Sequence, residues 1–137
     1  PEEVAGGGRG LRGAPADGLA IDSPTVDTFR TALTVGLGAG LGAVLRHLVV
    51  LYGAAPGTTA ALALTFAVNI AGCFAMGLYK PGPLWGTGFL GGLTTYSAIS
   101  VAAMQSHALT ALIIVVLSYA TAVAAWLAGD AVRSRRA

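Results

Sequence analysis

The strongest constraint on the fold of this chain is the near absence of charge in its central hundred residues. Between residues 31 and 129 only Arg46 and Lys80 are charged, and the chain of 137 residues is 55% hydrophobic. A soluble domain carries about 25% charged residues, spread over its surface. A long stretch without them cannot form such a surface, so the sequence predicts an all-α membrane protein.

Turn residues divide this stretch into four apolar spans, each close to the length of about 20 residues that a membrane-crossing helix needs. We predict four transmembrane helices at residues 31–52, 58–79, 84–105 and 108–129. Pro and Gly in residues 53–57 and 80–83 mark the first two turns. We expect residues 1–30 to form a disordered tail, because they are rich in Gly, Ala and Pro, and residues 130–137 to form a basic tail.

The positive charges are strongly asymmetric across the predicted membrane. With four spans, both termini and the 80–83 turn lie on one side. That side holds seven cations, namely Arg9, Arg12, Arg30, Lys80, Arg133, Arg135 and Arg136. The turns at 53–57 and 106–107 hold none. The positive-inside rule therefore predicts that both termini are cytoplasmic and that the chain crosses the plasma membrane several times.

The first span contains a glycine-rich motif, GLGAGLGAVLRH at residues 36–47. It formally matches a dinucleotide fingerprint, but no βαβ unit surrounds it, so we reject that interpretation. Small residues four apart instead let helices approach closely in lipid. The glycines expected to pack helices in this way are Gly36, Gly38, Gly40, Gly42 and Gly72.

Two polar side chains lie within the spans. Asn69 is near the centre of the second span and Arg46 is in the first. Each has a structural interpretation: Asn69 can join two helices by a hydrogen bond, and Arg46 can extend to the interface. Each also has a functional one, since Asn69 can donate N–H groups to an ion path and Arg46 can attract an anion to its entrance.

The third span contains GFLGGLTTYS at residues 88–97. The pair Gly91-Gly92 predicts local unwinding, and unwound backbone at membrane depth is tolerated only when buried in protein or lining a cavity. Freed carbonyls are hard oxygen ligands that suit an alkali cation such as Na⁺. Hydroxyl and amide groups beside them are the donors that an anion requires.

These three motifs together resemble the CrcB/Fluc family of small fluoride channels. The resemblance rests on GFLGGLTTYS, on GLGAGLGAVLRH and on NIAGCFAMG at residues 69–77, and it covers about residues 33–129. It implies four-helix subunits with a broken third helix, assembled as antiparallel, dual-topology dimers with two fluoride pathways. It also implies a structural Na⁺ at the dimer centre and passive fluoride export, which lowers fluoride toxicity in the cytoplasm.

The resemblance assigns roles to individual positions. The backbone carbonyls of Gly91 and Thr94 match the Na⁺ ligands. The residues that match or border the ion pathway are Asn69, Thr95, Tyr96, Ser97, Ile99, Ser118 and Arg46. Tyr96 and Ile99 stand where the family has two phenylalanines, so Ile99 lacks a ring edge and Tyr96 adds a hydroxyl.

The partner of this chain follows from the same resemblance. A sequence that inserts in both orientations needs little Lys/Arg asymmetry, whereas this one has a strong asymmetry. We therefore expect the chain to form one half of a heterodimer with a related chain of opposite orientation, with a homodimer as the alternative. Because Ile99 lacks a ring, a non-conducting or half-degraded partner subunit is the alternative function.

Other functional classes lack their required residues. Enzymes need acids and bases, but the carboxylates lie only in the tail before residue 30 and at Asp130. A proton-coupled four-helix exporter needs a carboxylate within the membrane, and the first three spans have none. The single cysteine, Cys73, is expected to be a buried apolar residue. No basic stripe predicts nucleic-acid binding.

Overall fold

The described part of the chain, residues 24–136 of a computed structural model, consists of helices joined by short turns. The elements are α1 (Pro24–Gly53), α2 (Thr59–Tyr79), a π-helical segment π1 (Leu84–Leu90), α3 (Gly91–Leu93), α4 (Ser97–Met104) and α5 (Ala108–Ser134). The "tail end" of the molecule holds the start of α1, the 80–83 turn and the end of α5. The "loop end" holds the 54–58 and 105–107 turns.

Three helices of the described region, α1, α2 and α5, are long and apolar enough to cross a membrane. Most large apolar side chains of α1 and α5 are exposed, including Leu37 and Leu41 on α1 and Leu112 and Val116 on α5. A lipid environment explains these exposed faces, because hydrocarbon imposes no penalty on apolar side chains. The chain is therefore an all-α, multi-pass membrane protein.

Two helices extend beyond the predicted spans. Residues 24–30, assigned to the N-terminal tail, form the first turns of α1, where Asp27 favours a helix N-terminus. Residues 130–134, assigned to the C-terminal tail, continue α5, whose last turn contains Arg133. The rest of the expected N-terminal tail, residues 1–23, lies outside the described residues.

The third span is built from separate helical pieces. π1 continues directly into α3, residues 94–96 are non-helical, and α4 begins at Ser97. Gly91 has helical dihedral angles (φ −65°, ψ −37°), whereas Thr94 is extended (φ −77°, ψ 148°). The chain therefore leaves the helical conformation after the Gly91-Gly92 pair and not at it.

Close backbone packing explains why these glycines stay helical. A Cβ on Gly92 would overlap the main chain of Ala39 in α1. Gly38 and Gly42 of α1 lie in turn against the main chain of the third span. Gly36 and Gly40 have no neighbour within 4 Å, so of the four predicted packing glycines in α1 only Gly38 and Gly42 contact another helix within the subunit.

Helices α2 and α5 run parallel and pack through a second pair of glycines. A Cβ on Gly77 would overlap the main chain of Trp126 and Asp130, and one on Gly129 would overlap that of Phe74. Sequence reasoning missed both glycines, although Ala125 and Gly129 form a pair of small residues four apart that could have indicated the second one. Their contact brings the backbones of α2 and α5 together near the tail end.

An ion cluster joins the same two helices at the tail end. Lys80 Nζ lies 3.0 Å from Asp130 Oδ1, and Arg133 donates to the same oxygen at 2.7 Å. The Lys80 ammonium also lies 5.8 Å from the centre of the Trp126 ring. Asp130 therefore holds the end of α2 against α5 and belongs to the packed bundle.

We predict that Gly42→Ala destabilises the subunit by about 2 kcal/mol, because its methyl group would overlap the third-span backbone. Gly40→Ala is the matched control, since it lies in the same helix with open space around it. Thermal unfolding in detergent measures the difference. An equal loss of thermal stability in both variants would contradict this packing. It would indicate instead that another chain packs against Gly40.

Candidate functional site

The site is organised by a reciprocal pair of hydrogen bonds between α2 and the non-helical residues of the third span. Asn69 Nδ2 donates to the Thr95 carbonyl at 2.7 Å, and the Thr95 amide donates to Asn69 Oδ1 at 2.7 Å. Asn69 is only 9% exposed. Its side chain therefore replaces the helical hydrogen bonds that both main-chain groups of Thr95 would otherwise make.

This pairing leaves one donor of Asn69 unused by Thr95. A carboxamide has two N–H groups, and one of them is bound to the Thr95 carbonyl. The other N–H is therefore available to a further acceptor. A carboxylate or a hydrocarbon side chain at this position could not both accept from and donate to the same backbone.

The hydroxyl of Thr94 closes the end of α3. Thr94 Oγ1 lies 3.0 Å from the Leu90 carbonyl and 3.3 Å from the Gly91 carbonyl, with the nearer contact the stronger. A Cβ on Gly72 would collide with the Thr94 methyl group. Gly72 therefore makes room in α2 for the residue at which the third span stops being helical.

Two further hydroxyls follow directly. Thr95 Oγ1 and Ser97 Oγ are 2.9 Å apart, so one of them donates to the other. The hydroxyl that accepts keeps its own proton for another partner. The non-helical segment thus carries an unused O–H beside the unused N–H of Asn69.

These groups surround one cavity of about 320 Å³, which we call the site cavity. It contains most of the predicted site residues. Its lining is Asn69, Cys73, Gly91, Thr94, Thr95, Tyr96, Ser118, Tyr119 and Ala122. None of these side chains is a carboxylate, an ammonium or a guanidinium, so the cavity offers dipoles and aromatic edges and no fixed charge.

Three predicted residues lie outside this lining. Ser97 is linked to it only through Thr95. Ile99 is 0% exposed and does not line the cavity. Arg46 lies in α1, and its Nε is buried without a hydrogen-bond partner among the described residues.

The structure adds Cys73 and Tyr119 to the site. Cys73 follows Asn69 by four residues and therefore lies on the same face of α2. Tyr119 follows Ser118 directly and borders the cavity from α5. The helical spacing from Asn69 could have identified Cys73, and Tyr119 could have been identified as the neighbour of Ser118 in the middle of the fourth predicted span.

Few ionisable groups face the site cavity. Its lining holds no carboxylate or histidine, and its ionisable side chains are Cys73, Tyr96 and Tyr119. Among residues 24–136 no group of His, Cys, Asp or Glu could hold a metal ion. The lining thus presents neutral amide, hydroxyl, thiol and ring groups to the cavity.

Comparison with known proteins finds one matching family model and several relatives with the same name. Residues 33–130 match the family model described as CrcB-like protein, Camphor Resistance (CrcB). A protein of Corynebacterium efficiens named fluoride-specific ion channel FluC is 40% identical over 114 residues, which cover 80% of this chain and 76% of that protein.

Two further relatives carry numbered names. Fluoride-specific ion channel FluC 1 of Corynebacterium diphtheriae is 45% identical over 70% of this chain and 90% of its own length. FluC 2 of Rhodococcus jostii is 39% identical over 71% of this chain and 94% of its own length. No solved structure gives a significant match.

We predict that Asn69→Ala loosens the non-helical segment, because it leaves two main-chain groups of Thr95 without partners. The loss of about 2 kcal/mol of local stability should raise amide exchange in residues 94–97 roughly thirtyfold. Hydrogen exchange followed by mass spectrometry measures this. Thr65→Val is the control, since that hydroxyl bonds only Ala61 of its own helix. Unchanged protection in Asn69→Ala would contradict the supporting role of Asn69.

Proposed function

The chain belongs to the CrcB family, and we propose that it is a subunit of a fluoride-specific ion channel. Its curated relatives carry that name. The channel would let fluoride leave the cell down its electrochemical gradient and so lower its toxicity in the cytoplasm. The chain is not an enzyme, because its family and its named relatives are ion channels.

The observation that carries this proposal is the Asn69–Thr95 pair within an interrupted span. Fluoride is small and strongly hydrated, so a selective path must replace its water with closely spaced, rigid donors. The unused Asn69 N–H and the free hydroxyl of the Thr95–Ser97 pair are such donors. The ring edge of Tyr96 adds a weakly positive surface beside them.

Ser118 and Arg46 complete the proposed pathway. Ser118 is buried and borders the site cavity from α5, where its hydroxyl can bind the ion. Arg46 lies seven residues before the loop-end terminus of α1. Its unpaired Nε supports a role in attracting fluoride toward the pathway entrance.

A second subunit is part of the proposal. Tyr96 is 52% exposed, and hydroxyls of the same segment reach the subunit surface at membrane depth, where lipid offers them no partners. A second chain in the opposite orientation would cover this polar surface and form a dimer with two pathways. The Lys/Arg asymmetry favours a related chain over a second copy, and numbered relatives such as FluC 1 and FluC 2 support the existence of such pairs.

A structural Na⁺ is the proposed cofactor of this dimer. Gly91 and Thr94 border the same cavity, and their carbonyl oxygens are the hard ligands that Na⁺ prefers. Two carbonyls are too few for a hard cation, which takes about six oxygens. The same two carbonyls from an opposing subunit would add to the set, so the ion would lie between the subunits.

We further propose that the tail end faces the cytoplasm. Within the described residues, this end carries Arg30, Lys80, Arg133, Arg135 and Arg136, while the loop-end turns carry no Lys or Arg. Cytoplasmic ends of spans are enriched in these cations. The chain would then lie in the plasma membrane with its tail end inside the cell and its loop end outside.

We predict that Asn69→Asp abolishes fluoride efflux from liposomes. A carboxylate about 4 Å from the ion costs about 4 kcal/mol, which slows the flux roughly a thousandfold. A fluoride electrode measures the efflux, and chloride efflux is the selectivity control. Thr121→Val, whose hydroxyl bonds only main-chain carbonyls of α5 and does not line the site cavity, should keep most of the flux. Retained flux in Asn69→Asp would remove Asn69 from the pathway.

The same efflux assay tests whether this chain pairs with a related chain or with a second copy of itself. The chain is reconstituted alone and together with a second CrcB-type chain from its source organism. Slow efflux alone and fast efflux together would support the heterodimer, while equal rates would support a second copy. Absence of fluoride efflux in both preparations would overturn the channel function.

We predict that Na⁺ stabilises the assembled dimer. Binding only to the folded dimer should raise its Tm by about 5 °C at saturating Na⁺. Thermal unfolding in detergent is compared in sodium and N-methyl-D-glucamine salts at equal ionic strength. A Tm that does not depend on the cation would contradict the Na⁺ site.

A further inference from the structure

The wall of the site cavity contains a thiol close to the proposed ion position. Among the described residues that line this cavity, only Cys73 has a soft, polarisable ligand atom. Cys73 forms no disulfide and is half-buried. It follows Asn69 by four residues of α2, which rise about 6 Å toward the tail end. The thiol therefore borders the cavity about one helical turn beyond Asn69.

A second sulfur lies beside this thiol on α2. Met76 is three residues after Cys73, and such pairs have Cβ atoms about 5–6 Å apart on one helix face. Long side chains in a helix point back toward its N-terminus, which directs Met76 over the turn that holds Cys73. Met76 is half-buried, whereas Met104, the other methionine of the chain, is 86% exposed. Cys73 and Met76 thus form a pair of neighbouring sulfur ligands, which we call the sulfur pair.

A buried hydroxyl of the same cavity lacks a partner. The buried polar residues of the described region are Thr65, Asn69 and Ser118. Thr65 and Asn69 are hydrogen-bonded, but no described residue bonds the Ser118 hydroxyl. Ser118 is 6% exposed and borders the site cavity. Because a buried hydroxyl without a partner is unfavourable, this cavity is suited to hold a bound species.

The ligand atoms and their charges determine which cation fits the sulfur pair. Within residues 24–136 no three His, Cys, Asp or Glu side chains come together, so a cation here depends on the two sulfurs. Thiolate and thioether sulfurs select soft cations such as Cu⁺. One thiolate neutralises a monovalent cation, whereas a divalent cation would leave an unbalanced charge at membrane depth, which is strongly unfavourable.

We propose that the sulfur pair binds a soft monovalent cation, Cu⁺ or its analogue Ag⁺, and that the bound cation blocks the site cavity. Binding breaks the S–H bond of Cys73, forms a bond from its sulfur to the cation and releases the proton to water, with no electron transferred. The complex is neutral and obstructs the cavity by its volume, about one turn from Asn69. The block of fluoride rests on the proposed function, whereas binding of the cation does not.

Binding is tested with Ag⁺ as the probe. Full-length protein in detergent and chloride-free nitrate buffer is titrated with Ag⁺, with native mass spectrometry to count bound ions and calorimetry to measure the affinity. One tightly bound Ag⁺ per chain is expected, and Cys73→Ser should lose it. Met76→Leu should weaken binding about tenfold or more, because a hydrocarbon replaces a ligand. Met104→Leu is the matched control and should bind as the wild type does.

The block is tested by fluoride efflux from liposomes in the same nitrate buffer, since fluoride, unlike chloride, leaves Ag⁺ in solution. Each variant is compared with itself before and after Ag⁺ is added to both sides. Ag⁺ should slow wild-type efflux about tenfold or more, and excess dithiothreitol should restore it. Met76→Leu should need about tenfold more Ag⁺ for half inhibition. Efflux by Met104→Leu should show the wild-type sensitivity.

The two measurements separate the possible outcomes. Ag⁺ that binds Cys73→Ser as tightly as the wild type would overturn the site, and Cys73→Ala serves the same purpose if the serine variant does not fold. Equal affinities in Met76→Leu and the wild type would overturn the sulfur pair. Bound Ag⁺ with unchanged efflux would overturn the block. Binding that depends on Cys73, in a protein without any fluoride efflux before Ag⁺ is added, would establish the cation site and reject the fluoride channel.

Discussion

The reciprocal hydrogen bonds between the Asn69 side chain and the Thr95 main chain are the interaction on which the rest of the structure depends. An unpaired peptide group in hydrocarbon costs several kcal/mol, because no water is there to replace its partner. An interrupted span is therefore stable only where another element supplies a donor and an acceptor at the same point. One carboxamide supplies both, and it thereby sets the register of the third span against α2.

Close packing at glycines holds the helices near enough for the third span and α2 to make this contact. Gly42 and Gly92 let the backbones of α1 and the third span touch, and Gly77 and Gly129 do the same for α2 and α5. Lipid provides no hydrophobic force between helices, so extensive backbone contact has to supply the attraction. The bulky apolar side chains are left on the outer faces, and the polar groups are concentrated in the site cavity.

The chemistry of the interior follows from the absence of fixed charge. A charged lining would hold a small ion tightly and delay its release, whereas amide and hydroxyl dipoles can replace water without trapping the ion. The proposed pathway uses such dipoles at Asn69, Thr95 and Ser118. The charges are kept for the ends of the bundle, where the Lys80–Asp130–Arg133 cluster fixes helices and Arg46 lies close to the opposite end.

The membrane class was determined by the sequence itself, because hydrophobicity summed over about 20 residues decides whether a segment enters lipid. Asn69 was also recognisable as a residue needing a partner, but the partner lies 26 residues away and depends on how two helices meet in space. Tertiary structure alone placed the interruption at residues 94–96, because Gly92 is used for contact with α1 and stays helical. It also buried Ile99 completely, since burial of one side chain depends on the atoms around it and not on its neighbours in sequence.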